Sequence, residues 1–425
     1  MFEFSDISDE CVKCAKCVPV CTIHQNSPDE TTSPRGFLEL LGAYEKGQLD
    51  LDKQAKDIFE SCFLCTNCVD VCPKDLPTDM MIEQVRADIA KEYGIAWYKK
   101  LFFYLLRHRS VMDVMFKLGY VFQTCGFKMK EEQQSLLPRF SLPIIKKDRL
   151  LPAMSKTSFL NKYAEHIDNG GSQSVAIFIG CLANYNYTSI GDSLLEVLKE
   201  LKIDVFLAKK QKCCSAPAYF TGDFDTVDAL AKENIEYFES FIDDVDAIII
   251  PEATCSAMIK VDYEHYFHDQ QEWQERAKRL NHKIFMATEW LEHATNLKEI
   301  LEKLGNANID ITYHDPCHAR KMQGIYEEPR SLLKQNYTIK EMSDPNQCCG
   351  FGGVTIQTEK FHLAQSAGKP KAAMIENTGA TYVSAECSAC RMQLTNALYE
   401  GNVDTLFKNP IELIASVIRE NKGYN

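Results

Sequence analysis

VAIFIGC, residues 175–181, and its later counterpart DITYHDPC, residues 310–317, decide the fold. Each is a short apolar run that delivers a cysteine at its carboxyl end, as a buried parallel strand followed by a loop would. After Cys181 come a helical pattern near 188–201, the run DVFLA, the pair Cys213-Cys214, a helical pattern near 224–242, the run AIII and Cys255. After Cys317 come a helix near 328–335, a strand near 337–342, the pair Cys348-Cys349, a helix near 359–377, the run TYVSA, and Cys387 with Cys390. Equivalent cysteines are offset by 136 residues (181 to 317), 135 (both members of the pair) and 132 (255 to 387). Such self-similarity marks a duplicated unit. Strands alternating with helices predict parallel α/β sheets, with the cysteines at the strand ends where these folds gather functional loops.

The two copies are not equal. The second reads Cys317-x30-Cys348-Cys349-x37-Cys387-x2-Cys390, five thiols and more than one cubane needs. The first reads Cys181-x31-Cys213-Cys214-x40-Cys255 and has Met258 at its last ligand position. A thioether replaces a thiolate poorly, so Met258 is expected in the core, and the first site is expected to hold an altered cluster, another metal or none. Gly350, Gly352 and Gly353 follow the second pair, where they let backbone N–H groups approach anionic sulfur or simply make a tight turn. Asp315-Pro316 reads as a helix N-cap with proline at the first helical position. His314 and His318 flank Cys317 as candidate ligands, proton carriers or hydrogen-bond partners.

Upstream lie two further runs, Cys11-x2-Cys14-x2-Cys17-x3-Cys21 and Cys62-x2-Cys65-x2-Cys68-x3-Cys72-Pro73. Both match the spacing of two-cluster ferredoxins, in which the fourth cysteine ligates the other cluster. One [4Fe-4S] cluster is therefore assigned to Cys11, Cys14, Cys17 and Cys72, and the other to Cys62, Cys65, Cys68 and Cys21. Zinc held by four thiolates in each run is the competing reading, but zinc ribbons pair their CxxC units rather than tripling them. Around these runs the head reads as helical. Ser33-Pro34 starts a helix that carries Phe37, Leu40, Leu41 and Tyr44 at helical spacing and stops at Gly47, and a second helix is expected over 79–93.

The chain has 425 residues, which suggests two or three domains, and its 18 cysteines in clustered pairs and triplets suit a reducing compartment and metal ligation. Cys125 alone stands outside the groups and is expected to be a buried thiol. The net charge of −13 argues against nucleic-acid binding. No apolar run is long enough to span a membrane, and the acidic start MFEFSDISDE is unlike an export signal. There is no GxGxxG after a strand, no P-loop and no GxSxG, so no flavin or nucleotide site is expected on this chain. Charge divides it into zones of −9 (1–96), +8 (97–156) and −12 (157–425). Within the basic zone, residues 97–122 predict an amphipathic helix. Trp97, Leu101, Tyr104, Leu105, Met112, Met115, Leu118 and Phe122 share one face, with Lys99, Lys100, Arg107, Arg109 and Lys117 beside or opposite it. That helix is either an internal strut or a peripheral membrane contact.

Together, CVKCAKCVPVC with SPRG downstream, YHDPCH followed by CCGFGG, and EATCSAMIK resemble the CCG-domain family of iron–sulfur oxidoreductase subunits. The first two are similar to the iron–sulfur subunit of glycolate oxidase, and the third is nearer the C subunit of anaerobic glycerol-3-phosphate dehydrogenase; the D subunit of heterodisulfide reductase is also similar. The resemblance implies a flavoprotein dehydrogenase partner and electron transfer towards the membrane quinone pool. It also implies a cytoplasmic chain, peripheral on the inner face of the membrane. For Cys317, Cys348, Cys349, Cys387 and Cys390 it implies a further iron–sulfur cluster, of noncubane [4Fe-4S] type in the heterodisulfide reductases. The alternative function is then a thiol–disulfide reductase with that site catalytic. The expected fold is α+β and multidomain: an α-helical ferredoxin domain with two [4Fe-4S] motifs (1–96), a basic connector (97–173), a degenerate first CCG domain (174–306) and a second CCG domain (307–425).

Overall fold

The computed structural model describes residues 4–141 and 145–421; the expected domain ends at 1–3 and 422–425, and connector residues 142–144, lie outside the described residues. The head is helical, and among its described residues there is no strand. Helix Pro34–Glu45 begins as read, with the Ser33 hydroxyl accepting from the Gly36 amide at 3.0 Å and proline in the first turn. Helix Thr78–Tyr93 matches the second expectation to within a residue. Phe37, Leu41, Phe59, Met81, Ile82 and Val85 close the core between these helices.

The connector departs from expectation. Two helices, Trp97–Arg107 and Arg109–Gly126, are separated at His108, whose backbone (φ −111°, ψ 72°) is not helical. Three short antiparallel strands follow, β1 (Phe127–Lys130), β2 (Ser135–Pro138) and β3 (Leu151–Pro152). They are too short and too charged to show as an alternating pattern.

The duplication is plain in the sheets. The first repeat contains β4 (His166–Ile167), β5 (Ser174–Ile177), β6 (Asp204–Leu207), β7 (Ala247–Ile250) and β8 (Ile284–Met286), in the order β4-β6-β5-β7-β8. The second contains β9 (Asp310–Tyr313), β10 (Thr338–Ile339), β11 (Tyr382–Ser384) and β12 (Leu406–Lys408), in the order β10-β9-β11-β12. Without β4, an antiparallel edge strand, the two orders are the same and every pairing is parallel. Central strand β7 is buried along its whole length, as a strand covered by helices on both faces must be. A shared core joins the repeats, where Ile190, Leu194 and Val197 of helix Ser189–Glu200 meet Ile411, Ile414 and Ile418 of helix Pro410–Asn421. The Arg391–Glu412 pair at 3.0 Å, buried on both sides, lies at the same seam and takes a 2.5 Å bond from the Ser189 hydroxyl.

Candidate metal centres

The two head motifs stand next to each other. Cys17 lies within electrostatic reach of Cys11, Cys14 and Cys72, Cys62 and Cys68 lie within reach of Cys65 and Cys21, and Cys21 also reaches Cys17. Both loops use the same backbone device. Lys13 and Ala15 flank Cys14 with φ of 53° and 61°, and Leu64 and Thr66 flank Cys65 with φ of 51° and 55°. Four non-glycine residues in the left-handed region, in matching places, mark loops wound tightly around a common centre. No sequence signal announces this, because none of the four is glycine. Asn67 donates to the Val20 carbonyl at 2.8 Å and ties one motif to the other.

Their surroundings differ. Cys14 is exposed, whereas all four cysteines of the second motif are half-buried beside the two repeats. Buried Arg86 gathers this loop, donating to Phe59 O (3.1 Å) and Cys62 O (2.7 Å) on the head and to Phe220 O (2.9 Å) on the first repeat. Lys360 of the second repeat donates to Asp57 O (2.7 Å) and the Ser61 hydroxyl (3.1 Å). Lys321 reaches across to Cys65 O (3.3 Å) and to Asn67, while lying 3.5 Å from Cys317 Sγ. Buried polar groups gain most when every donor is satisfied, and these cations bind carbonyls that would otherwise be orphaned. As a result the Cys65 thiol touches Cys348, which brings it down to about 6 against the effect of burial. Burial, helped by neighbouring thiols, pushes Cys62 up to about 12 and Cys21 up to about 11.

All five cysteines of the second repeat are buried, from Cys387 at 2% exposure to Cys317 at 7%, and they form one group. Cys348 contacts Cys317 and Cys349, Cys349 Sγ lies 3.5 Å from Cys390 Sγ, and Cys387 caps the following helix by accepting from the Cys390 amide at 3.5 Å. The Gly350 amide donates to Cys348 Sγ at 3.4 Å, one of the N–H contacts expected of the glycines. Gly350 has φ 88°, and a Cβ there would meet the Ala367 side chain at 2.7 Å, so both torsion and space require glycine. His318 stacks on Phe220 at 5.5 Å and faces the Thr254 hydroxyl; burial, then Lys321, pushes its imidazole down to about 4.

The first repeat brings Cys181, Cys213, Cys214 and Cys255 together in a chain of contacts, 181 to 213 to 214 to 255. Gly180 (φ 71°) is close to this group, for a Cβ there would stand 3.1 Å from Cys255 Sγ. Met258 is fully buried in the core, as expected of an apolar side chain, and begins a π turn over Met258–Asp262. Glu252 crosses between the repeats, accepting from the Ser388 amide at 2.7 Å and from its hydroxyl.

Two readings need correction, Asp315 and Cys125, and a third is narrowed at Lys99 and Arg109. Asp315 does not cap helix Cys317–Gln323, whose N-cap is Pro316; its carboxylate pairs instead with Arg330 at 2.6 Å and with Arg320. Two arginines outcompete a single cap bond. Cys125 is exposed, because nothing covers that face of helix Arg109–Gly126. Lys99 is buried against Glu359 (2.7 Å) and the Thr355 hydroxyl (3.0 Å), and Arg109 bonds the Lys209 carbonyl, so both act as struts.

The donor sets, convergent thiols with N–H groups directed at sulfur, fit iron–sulfur ligation. Comparison with known proteins agrees. Residues 7–76 match the 4Fe-4S dicluster domain, and residues 175–260 and 311–395 match the cysteine-rich domain, CCG. An uncharacterized iron–sulfur protein of Methanococcus maripaludis is 30% identical over 399 residues, 91% of this chain and 67% of that one. The probable glycolate oxidase iron–sulfur subunit of Bacillus subtilis is 26% identical, over 92% of this chain and 90% of its own. The B subunit of the fumarate reductase (CoM/CoB) of Methanothermobacter marburgensis is 27% identical, over 95% and 71%. A crystal structure of a hypothetical protein from Helicobacter pylori shares the fold, with a TM-score of 0.52 at 10% identity over 99% of this chain and 76% of that one. With a dicluster match in the head, a cysteine-rich match in each repeat and a relative 30% identical over 91% of its length, the chain belongs to the CCG-domain family of iron–sulfur proteins.

Proposed function

We propose that this chain is the iron–sulfur electron-transfer subunit of a flavin-dependent dehydrogenase complex. The complex is of the glycolate- or lactate-oxidising type or of the glycerol-3-phosphate type, and the chain carries electrons from a flavoprotein partner towards the quinone pool. The carrying observation is the graded exposure of the cysteine groups. Cys14 is open to solvent, Cys65 touches Cys348 in the interior, and the five thiols of the second repeat are enclosed. Iron–sulfur clusters, when bound, supply one-electron carriage at such sites. Arg86, Lys321 and Lys360 hold the head against both repeats, so the separation of the groups is set by packing rather than by a mobile tether. The five thiols of the second repeat are 2–7% exposed, which keeps both water and a disulfide substrate from their sulfurs and favours electron carriage over the reductase reading. The likeness to the Bacillus subtilis protein supports the choice of dehydrogenase.

In this reading the uncovered helix pair is the attachment surface at the inner membrane face. Trp97 is 73% exposed, and Leu101, Tyr104, Met115, Leu118 and Phe122 stand out beside exposed Lys100, Arg107 and Lys117. Among the described residues no helix is long and apolar enough to cross a membrane. Native mass spectrometry of the complex purified without oxygen tests the assignment. A flavoprotein retained with the chain is expected. A chain that comes without one and reduces a disulfide by itself would sink the proposal.

A further inference from the structure

His314 ends the strand region of the second repeat and is fully buried. Its Nδ1 lies 3.2 Å from the Pro345 carbonyl oxygen, which can only accept, so Nδ1 carries the proton and Nε2 is left with its lone pair. Nε2 makes no hydrogen bond of ordinary geometry, and the Cys349 thiol lies close enough to the ring to interact with it. An imidazole tied through one nitrogen to a backbone carbonyl, with the other nitrogen turned to a thiol, is the usual arrangement of a metal-ligating histidine. A buried lone pair with only a thiol beside it is weakly satisfied unless a metal joins the two.

The ring has suitable company. A ring nitrogen of His314 and the sulfurs of Cys349 and Cys390 all lie within 4.8 Å of one another, and the two sulfurs are 3.5 Å apart. Two thiolates on one tetrahedral metal, with bonds of about 2.3 Å, stand about 3.8 Å apart. Little adjustment separates this corner from a bound geometry.

The first repeat supplies an independent argument. With the strand offset of 136 that relates Cys181 to Cys317, the counterpart of His314 is Phe178; with the later offset of 132, the counterpart of Cys390 is Met258. Both are fully buried in one apolar cluster, and Phe178 packs edge-on against Phe238. The two copies therefore differ at both members of one corner, donor with donor and carbon with carbon. A histidine with a purely structural role has no reason to change together with a cysteine far away in sequence.

We infer that His314 Nε2 is a ligand to the iron held at the Cys349–Cys390 corner of the second repeat. This rests on the reading that the second repeat holds an iron–sulfur cluster. A neutral imidazole completes the ligands of that iron without adding negative charge, so the site keeps a higher reduction potential than a further thiolate there would give, as histidine ligation does in Rieske centres.

The test uses the full chain, loaded with iron without oxygen, reduced, and grown with 14N- or 15N-histidine. Pulsed electron paramagnetic resonance should show a coupling from a directly bound nitrogen that changes with the isotope. His314→Phe, which copies the first repeat, should abolish it. His314→Cys should keep the iron, lose the nitrogen signal and lower the potential of this site alone. A second-repeat iron signal without nitrogen coupling, or a coupling that survives in His314→Cys, overturns the inference and leaves the cluster reading intact. A wild-type chain whose iron is all accounted for by the head motifs, with zinc or nothing in the second repeat, overturns the cluster reading and this ligand with it.

Discussion

By the repeat offsets, buried Phe178 and Met258 of the first repeat stand where His314 and Cys390 stand in the second. The scaffolds beneath are the same, four parallel strands in one order with a cysteine pair after the second strand. The fold therefore tolerates either filling. A duplicated α/β sheet needs a packed interior at its strand ends, and packing can be met by apolar volume or by a metal with its ligands. The first repeat carries Arg86's anchoring carbonyl at Phe220. In the proposed reading only the second uses its corner for chemistry.

The largest effect that would break this contrast is in metal content. Two head clusters and a four-iron site in the second repeat give about 12 irons per chain, and Cys348→Ala should remove about 4 of them. Joint replacement of Cys181, Cys213, Cys214 and Cys255 should change iron far less. Equal losses, measured by iron analysis, would make the two repeats equivalent. Stability should divide the other way. Phe178→Ala is expected to cost about 3–5 kcal/mol in denaturant unfolding with head and second-repeat iron unchanged, as for any large aromatic removed from a core. A loss of iron without loss of stability would assign Phe178 to the metal site instead.

A sharper probe converts one copy towards the other. Met258→Cys restores a fifth thiol to the first repeat, and reconstitution should then add metal to that site while sparing the other groups. No added metal would mean that Phe178 closes the corner by itself. Between the head motifs, Cys72→Ser should erase the same spectroscopic cluster as Cys14→Ser; erasure of the cluster lost in Cys65→Ser would undo the crossed assignment. The smallest effect is in pH dependence. Burial, then the nearby Cys387, raises the Glu252 carboxyl from 4.5 to about 8 at the seam between the repeats. A carboxyl raised on folding binds its proton more tightly in the native state, so its contribution is full below about pH 4.5 and is lost as pH rises through about 8. Thermal unfolding across that window should fall less steeply in Glu252→Gln, and an unchanged slope would remove Glu252 from the account.

Much of this architecture is legible in periodicity and spacing. The apolar runs at 175–180 and 247–250 and the helices at 34–45 and 78–93 stand out because each buries one consistent face or a whole strand. The cysteine groups are visible because ligand spacing is local. What cannot be read is decided by contacts far apart in sequence. The His108 break splits one amphipathic pattern into two helices, and Lys99 turns inward only because Glu359 and Thr355 wait for it. Asp315 has the sequence context of a cap, but Arg330 claims it. The left-handed turns at Lys13, Ala15, Leu64 and Thr66 carry no glycine to reveal them.

The partial covering of the Cys62–Cys72 loop has a consequence for biogenesis. Arg86, Lys321 and Lys360 bring carbonyls and side chains from residues 220, 321 and 360 over a loop near residue 60. The head emerges first during synthesis, and domains generally fold as units in that order. Its inner motif is half-covered once the repeats behind it are made. An iron donor would therefore meet that motif most easily during synthesis, whereas the outer one, with Cys14 exposed, would stay open to it in the finished protein.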